Sequence, residues 1–120
     1  MTMSTLRTNL RQRLTAAMRE RDRPAVNALR SVLAALDNAE AVPVTARTAA
    51  DSEHVAGALL GVGAGETARR ELSAADEREV VEREIAEMRT EADEAERRGA
   101  ADRADELRRA AAVVGDAAGE

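Results

Sequence analysis

Arg19, Arg21, Arg23 and Arg30 are the residues of this sequence whose type and spacing point most clearly to chemistry, and that chemistry is phosphate binding. A guanidinium is planar, permanently charged and able to meet two phosphate oxygens at once. With Arg7, Arg11 and Arg13, they give residues 1–36 seven arginines against Glu20 and Asp22. That is a local net of +5 in a chain whose total is −5. Structured RNA can be held through its shape and backbone without base stacking.

Other constellations point to no reaction. His54 is the sole histidine, and it has neither a cysteine nor a second histidine to work with as base or metal ligand. Gly61-Val62-Gly63-Ala64-Gly65 resembles a phosphate-cradling loop, but Glu66 stands where the dinucleotide fingerprint needs its third glycine. A Walker loop needs a lysine, and all 18 basic residues here are arginine. The carboxylates Glu77, Glu79, Glu82, Glu84, Glu87, Glu91, Asp93, Glu94 and Glu96 carry no Glu-x-x-His pattern of the kind that binds two metals. Acid-first pairs at helical spacing, Glu79 to Arg83, Asp93 to Arg97 and Glu94 to Arg98, read as a solvated helix face. No catalytic, cofactor-binding or metal-binding residue is expected.

Composition narrows the classes further. The 120 residues suit one domain. They contain no cysteine, phenylalanine, tyrosine or tryptophan, which excludes disulfides, thiol chemistry and aromatic base-stacking platforms. Of the 44% hydrophobic residues, 28 are alanine, so Leu, Val and Met must supply most of the core. Alanine has the best helix propensity and lets helices approach closely. With charged residues at 34%, the composition fits helices in a cytoplasmic protein with no membrane span.

The elements that must carry the arginines follow from the apolar spacing. Leu6, Leu10, Leu14 and Met18 form an i, i+4 row that predicts a buried stripe on a helix over Ser4–Arg21. Asp22-Arg23-Pro24 breaks it and starts a second helix, over Pro24–Asn38, with Val26, Leu29, Val32, Leu33 and Leu36 inward. Pro43 and the glycines at 57, 61, 63 and 65 predict a long flexible loop over 41–70. Ser73 with Asp76 is a capping-box start for a third helix over Ala74–Arg98, which carries the seam Val81, Ile85, Met88, Ala92 and Ala95. Gly99 is a natural helix end. A fourth helix over Ala101–Val114 turns Ala104, Leu107, Ala111 and Val114 toward that seam, ahead of a frayed tail at 115–120. The expected fold is all-α: a small four-helix domain over 1–114, built from two helical hairpins with a Gly-rich loop between them.

Four stretches bring a family into view. Ala17-Met18-Arg19-Glu20-Arg21-Asp22 is followed by Ala28 to Leu36 and Asn38-Ala39-Glu40. Leu72 to Glu77 and Glu96 to Asp102 come later in the same order. In this the chain resembles the GatB/YqeY family, whose module also forms the tail of one subunit of the tRNA-dependent glutamine amidotransferase. The resemblance implies a tRNA-associated accessory module of a carbon–nitrogen ligase that uses glutamine as amide donor, with the chemistry in other domains and subunits. The partners it implies are tRNA and an amidotransferase complex. The family's second small helical domain is expected to be absent, since the chain ends near where it would begin. The competing expectation is a helical protein-interaction module with no nucleic-acid role, able to form a homodimer through a helical seam.

Overall fold

The computed structural model describes residues 4–55 and 71–119. Among these the chain is all-helical: α1 spans Thr5–Glu20, α2 Arg23–Val55, α3 Ala74–Arg97 and α4 Ala101–Ala117. Two starts are set by hydroxyl caps. Ser4 Oγ accepts from the Arg7 N–H at 3.0 Å. Ser73 Oγ accepts from the Asp76 N–H while the Asp76 carboxylate accepts from the Ser73 N–H, which completes the expected capping box.

The core gathers where all four helices meet. Leu10, Leu29, Val32, Leu36, Val81 and Val114 are fully buried there. Each buried leucine contributes about 1.5–3 kcal/mol relative to exposure. A second cluster, Ala92, Ala95, Ala104 and Leu107, closes the far end of α3 and α4 almost entirely with methyl groups. Both predicted seams are buried against one another.

Three expectations need correction. Met18 does not share the buried stripe of α1 and is 49% exposed, while Ala17 is buried in its place. An i, i+4 row drifts by about 40° per step on a helix of 3.6 residues per turn, so three steps from Leu6 carry Met18 out of the core. Helix α2 does not stop at Asn38 but runs on to Val55. The predicted loop of 41–70 is therefore helical over 41–55. Pro43 removes one N–H, but Ala41, Ala46, Ala49 and Ala50 favour continuation. The Gly-rich remainder lies outside the described residues. Finally, α4 continues through 115–117, where a frayed tail was expected, because Asp116 is held by Arg13 at 3.1 Å and Ala118 is buried.

Candidate nucleic-acid interface

The basic end of the chain is built around the turn between α1 and α2. The Arg21 N–H donates to the Met18 carbonyl at 3.1 Å and the Asp22 N–H donates to the Ala17 carbonyl at 3.0 Å. This is the Schellman pattern of helix termination, which wants a left-handed residue at its C′ position. Arg21 occupies that position with φ 58° and ψ 36°. A side chain costs about 1–2 kcal/mol in that conformation, which is why glycine usually stands there. The turn between α3 and α4 repeats the same bonds, Gly99 N–H to Glu96 O and Ala100 N–H to Ala95 O, with Gly99 at φ 86°.

Asp22 is occupied on two sides. Its Oδ1 accepts from the Ala25 N–H at 3.4 Å as α2 begins, and its Oδ2 meets Arg109 of α4 at 2.8 Å. The Arg109 bond, with help from Ala25, outweighs burial and holds the Asp22 carboxyl below the usual carboxylate range. Its charge is therefore taken up internally, and that bond weakens only when pH falls through this lowered value. Asp22 therefore does not neutralise the turn's own arginines, and Glu20, between Arg19 and Arg21, forms no ion pair with them among the described residues.

The structure divides the seven arginines of residues 1–36 into two groups. Arg7 and Arg13 hold the helices together. Arg11, Arg19, Arg21, Arg23 and Arg30 are exposed and have no ion-pair partner among the described residues. Arg19, Arg21 and Arg23 surround the turn. Arg30 stands seven residues after Arg23 on the same face of α2, about 10 Å further along the axis. All four sequence-predicted residues thus lie at or near one end of the α1–α2 pair and are open to solvent.

Sequence reasoning missed the role of Arg7. Its guanidinium meets Asp37 at 2.9 Å, Glu40 at 2.9 Å and Glu77 at 3.3 Å, and so ties α1 to α2 and α3. Burial disfavours its charge, but the hydrogen bonds it donates to Asp37 and Glu77 and the charge of Glu40 outweigh that and raise its pKa. The one local signal was its place beside the Leu6–Leu10 stripe, because the partners lie 30, 33 and 70 residues away. The expected pair of Asp93 with Arg97 is also replaced. Asp93 turns across to Arg108 of α4 at 2.8 Å, and Arg108 reaches Glu96 as well at 2.6 Å. No ion pair joins Glu79 to Arg83 or Glu94 to Arg98 among the described residues.

Among the described residues, no group of three His, Asp or Glu side chains is placed to hold a metal ion, and no helix is long and apolar enough to cross a membrane. His54 falls in the last turn of α2, and the Gly61–Gly65 run lies outside the described residues. No family model, curated protein or solved structure matches the chain.

Proposed function

We propose that the chain is a non-catalytic accessory module that holds tRNA by its phosphate backbone, of the tRNA-dependent amidotransferase type. In this reading it works in the cytoplasm as two helical hairpins beside an amidotransferase complex whose other subunits carry out amide transfer. Arg19, Arg21, Arg23 and Arg30 are the phosphate ligands. The observation that carries the reading is the division of the arginines. Those facing other helices are paired, whereas those at and beside the α1–α2 turn have no acid partner among the described residues. A left-handed Arg21 strengthens it, since strain of this kind gathers at functional positions. The likeness to the GatB/YqeY pattern in the sequence supplies the tRNA and the complex.

Filter binding of the full chain to tRNA across a salt series tests the proposal. Four phosphate contacts predict a log–log slope of about −3 to −4. Replacing all four arginines by serine is expected to flatten the slope and abolish most of the affinity. No binding at low salt, or an unchanged slope in the fourfold variant, overturns it.

A further inference from the structure

We propose that the α1–α2 turn of one copy of this chain docks into a groove between α2, α3 and α4 of a second copy. The groove has an apolar floor of Ala28, Met88 and Leu107 and a flank of Glu84, Glu87 and Glu91. Its volume is about 220 Å³. Pockets that take a whole small molecule run to about 300–1,000 Å³, so this one suits one or two side chains. Glu87 and Glu91 have no ion-pair partner among the described residues. Glu84 receives only a 3.4 Å hydrogen bond from Ser31. Burial, and then the charge of Glu87, push the Glu84 carboxyl above its ordinary range. Arg103 also lines the groove but pairs with Glu106 at 3.4 Å, so Glu84, Glu87 and Glu91 leave it with an excess of negative charge above the apolar floor.

The α1–α2 turn has the complementary make-up. Among the described residues, Met18 is the large apolar side chain left exposed. Arg19 and Arg21 follow it, exposed and without acid partners among the described residues. A methionine adapts to an irregular apolar floor, and the two guanidinium groups meet the unpaired glutamates. The seams Val81–Ala95 and Ala104–Val114 are buried within the single chain, so self-association must use another surface, and these two match. The inference does not depend on the nucleic-acid reading, although it uses some of the same arginines.

Sedimentation equilibrium of the full chain, free of nucleic acid, tests it. The wild type is expected to self-associate at low salt and less so as salt screens the charges. A groove variant, Glu87→Arg with Glu91→Arg, and a turn variant, Met18→Ser with Arg19→Ser and Arg21→Ser, should each weaken self-association by about tenfold or more. The decisive arm mixes the two. One keeps an intact turn and the other an intact groove, so the mixture should form a 1:1 complex that neither forms alone. Circular dichroism verifies that each variant keeps its helix. If the groove variant does not, Glu87→Gln with Glu91→Gln removes the charge more gently and takes its place. A wild type that stays monomeric at low salt, a groove variant that associates like the wild type, or a mixture of folded variants that does not associate overturns the proposal.

Discussion

Glu77 and Asp37 both lie within 3.3 Å of the Arg7 guanidinium, yet they stand to lose very different amounts if it is removed. The Asp37 side chain is 60% exposed and would simply return to water, at a cost of about 0–1 kcal/mol. The Glu77 side chain is 7% exposed and would be left as an uncompensated buried charge. Arg7→Ala is therefore expected to lower stability by about 3–5 kcal/mol in urea denaturation. Adding Glu77→Leu should recover a large part of that loss, which a lost packing contact alone would not allow. Glu84 presents the opposite case. Its pKa is raised in the folded chain, first by burial and then by Glu87, so the ionised carboxylate costs stability at neutral pH. That cost shrinks as pH falls through the raised value and is gone below the ordinary glutamate value. Glu84→Gln should raise the melting temperature near neutral pH, and the gain should vanish in acid.

Among elements, the legible ones are those whose signals are local. The Ser73–Asp76 box needs only four residues to recognise, and it opens α3 where expected. Ser73→Ala should cost about 1 kcal/mol by thermal melting, because the Asp76 N–H loses its acceptor while the N–H of residue 73 keeps the Asp76 carboxylate. The seams of α3 and α4 are equally plain, since a 4, 3 repeat keeps one face toward its partner over many turns. The i, i+4 row of α1 lacks that property and drifts away from the core, and so it misplaces Met18. Helix α2 outruns its expected end for a different reason. Pro43 and the turn-forming residues after it are strong local stop signals. A proline withholds one N–H and crowds the carbonyl four residues back, yet α2 continues past it to Val55 through a stretch rich in alanine.

Across the whole molecule, the excess of arginine over acid in the first third is visible by counting charges. Which arginines are already engaged is not, because that depends on partners such as Asp116 and Glu77 that lie far along the chain. Composition assigns Arg7 and Arg21 to the same class. Tertiary structure buries one among three acids and leaves the other in solvent. The expected loop shows the same limit from the other side, for nothing in its residues fixes how far α2 extends before the glycines begin.

The matching turns at Arg21 and Gly99 make the molecule its own reference state. A double exchange, Arg21→Gly with Gly99→Arg, permutes two residues without altering composition or overall charge. One left-handed side chain is relieved and another is created, in a place where an added Cβ meets nothing within 4 Å. Thermal melting should hence find the permuted chain within about 1 kcal/mol of the parent. Its salt slope for tRNA should be shallower by about 0.9, the signature of one lost phosphate contact. Transplanting a single cation between two equivalent corners would thereby separate where the charge sits from how much of it the chain carries.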